Sequence, residues 1–413
     1  MLSTLKQLVF LSILFSSILS AAQTESSTSN PLQIKLGKEN KVLVEYSINK
    51  AQLEIIYTDR TSQQLFEKEI TNEFTRALNT FKAELKDPDI PLSSSGHILY
   101  NWLIDTFSDN LGSRELLIIE DGNFSIPFEA LLTTASDQSF LIKSRSLSYH
   151  HNSAAFISDT IVKNNRLGYL GYACYKLGKA EIAKSSNIFN GRFRKGIECE
   201  ELDFKREADN VKILHIAARS SEPTILNFYK DDLGMEDGTL QTEEIEALDI
   251  NTDLLIYTPL LDSTQNPDIK LIIQAFKNSG CENSLYRLWP AKDLSGKGIL
   301  TSTLTHIKGG AKRHTALRKA KLDYLNSAQG NATHPAYWSA YILKGSTAPI
   351  KTGTEWTWWK VILLAFIMMG SIIIVAKTLS RKEFIEFQKQ FEGPNPFNPI
   401  QSRSRKGDKS SNS

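Results

Sequence analysis

Two apolar runs in this chain end in residues able to carry charge or give up a proton. VKILHIAARS closes on Arg219 and Ser220, and TDLLIYTPLLDS closes on Asp262 and Ser263. Both runs are short, rich in Ile and Leu and bounded by polar residues, the pattern of buried strands in an open α/β sheet. Function in such sheets gathers where strands give way to loops. Nucleophilic catalysis at those ends would need a thiolate or an activated hydroxyl with an imidazole within reach. Thr258, Ser220 and Ser263 supply hydroxyls, but their own loops offer no obvious histidine partner. His215, between Leu214 and Ile216 in the apolar run, reads as a hydrogen-bonded core residue. Arg219 and Asp262 should leave the sheet at one edge, where a guanidinium can pair with that carboxylate or meet an acidic ligand.

The three cysteines, Cys174, Cys199 and Cys281, form no CxxC pair and no metal-ligand spacing with histidine, so neither metal nor cofactor is expected. An odd count leaves at least one thiol free or pairing between chains. The 413 residues, 41% of them hydrophobic, suffice for one sizeable globular domain or two small ones plus membrane segments. A net charge of +2 with interspersed signs offers no extended basic face, which argues against nucleic-acid partners.

Residues 1–22 combine Lys6, an apolar run from Leu8 to Leu19 and the small residues Ser20, Ala21 and Ala22, the layout of a cleavable secretory signal. Residues 358–379 read as a transmembrane helix, its uncharged run from Val361 to Ala376 preceded by Trp356, Trp358 and Trp359 and followed by Lys377, Arg381 and Lys382. Together they predict a single-pass type I protein of the cell (inner) membrane, its main domain extracytoplasmic or periplasmic and its basic tail, 380–413, inside. In that tail Phe384, Phe387 and Phe391 sit on one side of a short helix suited to the membrane surface.

Between these ends, 23–40 reads as a Ser/Thr-rich linker and 41–346 as the folded body. KVLVEYSINKAQLEIIYTD reads as a hairpin with an Asn-Lys turn. Apolar residues at Leu65, Ile70, Phe74, Leu78 and Phe81 predict a helix over 62–85, with a second over 95–107. Strands are expected at Glu115, Lys212, Leu254, Asn283 and Trp338, spaced for parallel crossovers.

Several of these stretches resemble, in order, the CHAT domain family of caspase-like cysteine peptidases. LLIIEDGNFSIPFEALL is similar to the family's LLIVPDG and LPFEAL pieces, and FLIKSRSLSYHHNSAAF and LGYLGYACYK to the segments that follow. LQTEEIEALDI, LYRLWPAKD, TALRKAKLDYL and HPAYWSAYILKG complete the collinear series. The resemblance implies an α/β fold with a caspase-like, mostly parallel sheet covered by helices on both faces. It also implies a histidine at the end of one strand and a cysteine at the end of the next; those columns hold Arg219 and Leu260. Leucine has no nucleophilic atom, and an arginine, with a pKa above about 12, is no base at neutral pH. The expectation is therefore a catalytically inactive, membrane-anchored CHAT-like module for binding or assembly, with a protein or peptide partner. Two alternatives stand beside it: an active cysteine endopeptidase whose dyad lies in another register, and an enzyme of another class using the same sheet edge.

Overall fold

KVLVEYSIN, rich in Val, Tyr and Ile, is the kind of sequence that fills the middle of a sheet, and it forms β1 (Lys41–Asn49). The computed structural model describes residues 30–350 and 358–391, apart from 123, 125, 136–137, 159–166, 223, 231–233, 261–268 and 290–294. After β1 come β2 (Gln52–Thr58), β3 (Gln63–Glu69), β4 (Glu115–Glu120), β5 (Leu147–Tyr149), β6 (Leu167–Ala173) and β7 (Arg192–Lys195). The remaining strands are β8 (Val211–Ala217), β9 (Arg219–Glu222), β10 (Ile225–Asn227), β11 (Thr239–Gln241), β12 (Leu254–Tyr257), β13 (Ser284–Arg287) and β14 (Tyr341–Lys344).

Eleven of them make one sheet in the order β3-β2-β1-β4-β5-β14-β13-β12-β8-β6-β7, while β9, β10 and β11 make a small antiparallel sheet. The large sheet is two parallel blocks. In one, β1, β4, β5 and β14 run together; in the other, β13, β12, β8, β6 and β7 do, and the blocks meet at the antiparallel β13–β14 pair. The carboxyl ends of β6, β8 and β12 therefore share one edge. The hairpin strands β2 and β3 extend the first block antiparallel.

Both faces are covered, and the strand pleat sorts the side chains. Val42, Val44, Leu116 and Ile118 face the main core, while their neighbours Leu43, Leu117 and Ile119 join Leu32 and Leu36 of α1 (Pro31–Glu39) and Phe156. The segment 31–39, read above as linker, is thus a packed helix. Asn30 caps it by accepting from the Leu32 N–H, Pro31 occupies its first turn, and Leu32 and Leu36 anchor it.

The helix expected over 62–85 is a strand followed by a helix. Residues 63–69 pair along the whole of β2 from Thr58↔Gln63 to Gln52↔Glu69, and the helical spacing that includes Leu65 leaves that residue 58% exposed. The unpaired edge of β2 outweighs the local period. Asp59 sets the turn by accepting from the N–H groups of Thr61 and Ser62, and Thr71 starts α2 (Asn72–Lys86) by capping the Phe74 N–H. The second helix, α3 (Ser95–Leu103), is shorter than expected and continues as a tight turn, Asp105–Phe107. The β1–β2 turn residues are Lys50 and Ala51, with Lys50 left-handed at φ 56°. Trp338 lies not in a strand but in the single turn Pro335–Trp338, because His334 caps it and Pro335 starts it; the strand follows at β14.

Helices α4 (Lys176–Phe189), α5 (Glu201–Glu207), α6 (Ile269–Asn278) and α7 (Ser295–Lys308) belong to the second block, whereas α8 (Arg313–Ser327) packs against β5 and β14 of the first. Residues 353–413 form a separate unit. Its described part is one helix, α9 (Trp358–Phe391), long and apolar enough to cross a membrane. The helix does not stop at Leu379: the Phe384–Phe391 stretch continues it without a break. The signal reading of 1–22 lies outside the described residues.

Candidate functional site

The shared edge of β6, β8 and β12 is where strand ends could assemble chemistry. Ala173 pairs with Ala217 and Ile216 with Tyr257, and the Thr258 N–H donates to Ile216 O at 2.9 Å just past the end of β12. Beyond those ends stand Tyr175 after β6, Arg219 after β8 and Leu260 after β12. Leu260 is 8% exposed and packs with Ala173, Ala217 and Ile182. Arg219 opens β9, paired with Asn227, and its guanidinium carbon lies 4.1 Å from the centre of the Tyr175 ring. That ring also packs against the Leu260 cluster and stacks on Tyr229, centroids 6.1 Å apart. One tyrosine therefore lies against both Arg219 and the cluster that holds Leu260. Asp262, the expected ion-pair partner of Arg219, and Ser263 lie outside the described residues.

The first turn of α4 closes over this edge because two glycines permit it. A Cβ on Gly178 would stand 2.5 Å from the Ala217 Cβ, and one on Gly171 would stand 2.5 Å from the Ile182 side chain. With the helix this close, Glu181, three positions beyond Gly178, reaches the strand interior.

There, on the same face of β8 as Ala217, His215 is wholly buried. Its Nδ1 is 2.8 Å from the Tyr169 hydroxyl, its Nε2 is 3.4 Å from Thr258 Oγ1, and Glu181 Oε1 lies 3.6 Å from Nε2. Glu181 Oε2 accepts from Arg287 at 2.9 Å, and the same guanidinium nitrogen donates to the Tyr341 hydroxyl at 2.8 Å. Burial alone would raise the Glu181 pKa, but the Arg287 charge and hydrogen bonds from His215 and Thr258 bring it down to about 2. Burial pushes the Tyr341 phenol above its ordinary range. This arrangement holds ions in a dry interior; it does not present a base to solvent.

The cysteines are committed elsewhere. Cys174 and Cys199 are both buried, and burial drives the Cys174 thiol well above its usual pKa. Cys281 donates to Ile250 O at 3.1 Å. A thiol nucleophile needs the opposite, a lowered pKa beside a cation or imidazole.

Residues 179–346 match the CHAT domain family model. That stretch of the chain is similar to CHAT domains. The matched stretch includes Arg219, Leu260, Glu181 and Arg287 but begins after β6 and Tyr175. No curated protein matches the chain. Among solved structures it is similar to the Arg-specific cysteine proteinase gingipain R, with a TM-score of 0.44 and 6% identity over 63% of this chain and 68% of that one. It is also similar to a structure titled only as a protease, with a TM-score of 0.38 and 12% identity over 67% and 76% of the two chains.

The other motifs that carried the family resemblance prove to be packing devices in this chain. In PFEAL, residues Phe128–Ala130 form a tight turn; Glu129 accepts from the Tyr149 hydroxyl and pairs with Lys321 at 3.3 Å. Lys321, in the ALRKAK helix α8, is fully buried and also donates to Tyr341 O at 2.8 Å. His314 of the same helix holds Glu115 at 2.7 Å. His334 binds Ile90 O, and Trp338 packs edge-on against Phe140. In LQTEEI, Glu244 converges with Glu201 and Glu236, and Lys205 Nζ reaches all three at 2.7 to 2.9 Å, so an ammonium sits at the centre of that acidic group.

Reading the sequence for motifs missed Tyr175, Glu181 and Arg287. A signal existed for the last two. Glu181 is a lone carboxylate among Ala180, Ile182 and Ala183, and Arg287 is a lone cation inside the apolar strand SLYRLW; charges in such places are expected to be paired.

Proposed function

We propose that this protein is a membrane-anchored CHAT domain that has given up cysteine-peptidase chemistry and serves as a binding or assembly module, its body outside the cytoplasm. One observation carries the reading: Leu260, in an apolar cluster, and Arg219, on the face of Tyr175, occupy the edge where the family pattern calls for a thiol and an imidazole. Neither side chain can attack a carbonyl or accept a proton at neutral pH. What the edge retains is a cation held in place by an aromatic ring, a setting suited to a carboxylate on a protein or peptide partner.

Labelling of the detergent-solubilised chain with a thiol-directed peptidase probe tests the loss of chemistry. No specific labelling is expected; labelling that disappears with one cysteine-to-serine and one histidine-to-alanine change would identify an active dyad in another register and defeat the proposal. Recovery of an acidic protein or peptide partner from native membranes, lost on Arg219→Ala, supports the binding role. The apolar helix α9, the signal-like start and the positive flank together support the type I orientation. Protease added outside intact cells should remove the body and leave the tail with the membrane.

A further inference from the structure

The large sheet is open at both ends. β3 is its first strand and β7 its last, and among the described residues no strand pairs with the outer side of either. Open edges of this kind can take up another strand. On β3, Ser62 O and the Ile70 N–H are bonded on the β2 side, so by alternation Leu65, Glu67 and Glu69 turn their N–H and C=O groups outward. On β7 the outward residues are Phe193 and Lys195. Ile216 O is bonded on the β12 side, its partners in register, Tyr172 and Arg194, point the same way, and the alternate residues point away.

The two edges carry opposite charge. Lys68 turns inward and donates to Trp102 O at 2.8 Å, which leaves Glu67 and Glu69 beside Leu65, itself 58% exposed. Glu67 stands directly opposite Glu54 of β2, and among the described residues no cation comes within ion-pair distance of either. Like charges so placed are destabilising. On β7, Asp203 and Glu207 hold Arg194 at 2.8 and 2.7 Å, and Glu207 lies 3.6 Å from Arg192. Lys195 is exposed, and among the described residues no carboxylate pairs with it. Two residues on, in the turn after β7, Ile197 is 77% exposed.

We propose that these edges form a head-to-tail interface between copies of the chain, β3 of one against β7 of the next. β3 runs with the first block and β7 with the second, so copies in the same orientation bring the two strands together antiparallel. With Glu67 opposite Lys195, Glu69 faces Phe193 and Leu65 falls level with Ile197. One register then supplies main-chain bonds, an ion pair and an apolar contact. Pairing β3 with β3 would set Glu67 and Glu69 against their own copies, and pairing β7 with β7 would gather Arg192, Arg194 and Lys195. Charge therefore selects the unlike edges. Such an interface is heterologous and continues into a ring or a row instead of stopping at a dimer. It gives the assembly reading above a partner, a second copy, without using the Arg219 edge, so its failure leaves the proposed loss of chemistry standing.

Cysteine trapping tests the register. Within one chain the two edges are on the order of 40 Å apart across the eleven strands, far beyond disulfide reach, so only a neighbouring copy can join Leu65→Cys to Ile197→Cys. The full chain in detergent, carrying both changes, is oxidised and run on non-reducing denaturing gels. A ladder of dimers, trimers and higher multiples is expected, absent from wild type and from each single variant. Dimers from a single variant, which mean that like edges meet, or the lack of any ladder would each overturn the proposal. Sedimentation velocity of the full chain over a concentration series gives the second measurement. Wild type is expected to associate, Glu67→Lys and Lys195→Glu should each weaken association by about tenfold, and the two combined should restore it. Association that neither reversal changes arises elsewhere, α9 included, and overturns the edge pairing.

Discussion

Two positions four residues apart, at opposite ends of one stretch of chain, have different fates. His215, inside β8, keeps Tyr169, Thr258 and Glu181 as partners in a dry interior. Arg219, just past the strand end, keeps a tyrosine face and belongs to a different, three-stranded sheet. The interior network ties α4 to β8, β12 and β13 through Glu181, His215, Thr258 and Arg287, and removal of any member leaves a buried charge or hydroxyl unpaired. At the strand end a side chain can change to another that packs equally well, with no charge stranded. Chemistry at an edge is therefore lost more easily than the polar scaffold behind it.

The sharpest way to break this comparison is Arg287→Met, which leaves Glu181 ionised and uncompensated. It should cost about 3–5 kcal/mol, read as a lowered urea midpoint by tryptophan fluorescence. The double variant Glu181→Leu with Arg287→Met should recover much of that loss; a double variant as unstable as the single one would mean the pair does not act as a unit.

The pH dependence isolates the same carboxylate. With a folded pKa of about 2 against an ordinary value of 4.5, Glu181 contributes stability that is fully present above pH 4.5 and is lost as pH falls through 2. The difference amounts to about 3 kcal/mol. Unfolding of wild type and Glu181→Gln should therefore converge on acidification across that window. A gap that stays constant from pH 6 to pH 2 would remove Glu181 from the account.

Close approach of α4 to the edge is tested by Gly178→Ala, whose Cβ meets that of Ala217 at 2.5 Å. A loss of about 1–3 kcal/mol is expected from overpacking, with no change at all if the helix stands farther off. The smallest effect on stability belongs to the edge itself: Leu260→Cys should cost on the order of 1–2 kcal/mol. In Arg219→His with Leu260→Cys, the new thiol, located by peptide mapping, should react faster with iodoacetamide at neutral pH than in Leu260→Cys alone, since only the double variant adds an imidazole. Equal rates would show that the two positions do not face each other.

Much of this was legible along the chain. The apolar runs at 115–120, 211–217 and 254–257 were readable as strands because burial on both faces leaves nearly every position hydrophobic. The chain order of the family-like pieces located the body, and the unbroken apolar stretch after Trp359 marked α9. Residues 62–70 were not legible, since a seven-residue edge strand and the first turn of a helix can share one spacing, and only the open side of β2 decides between them. The packed helix at 31–39 was hidden because just two leucines, Leu32 and Leu36, hold it.

By itself the amino-acid sequence determined which side chains stand at positions 219 and 260: a leucine has no nucleophilic atom and an arginine is no base at neutral pH, whatever surrounds them. Tertiary structure alone decided what those side chains do instead. The packing of Arg219 and of the Leu260 cluster against Tyr175, and the burial of Glu181 against Arg287 more than a hundred residues away in sequence, depend on strands placed side by side by the sheet. Such contacts are set by the packing of distant segments, and no local period or propensity encodes them.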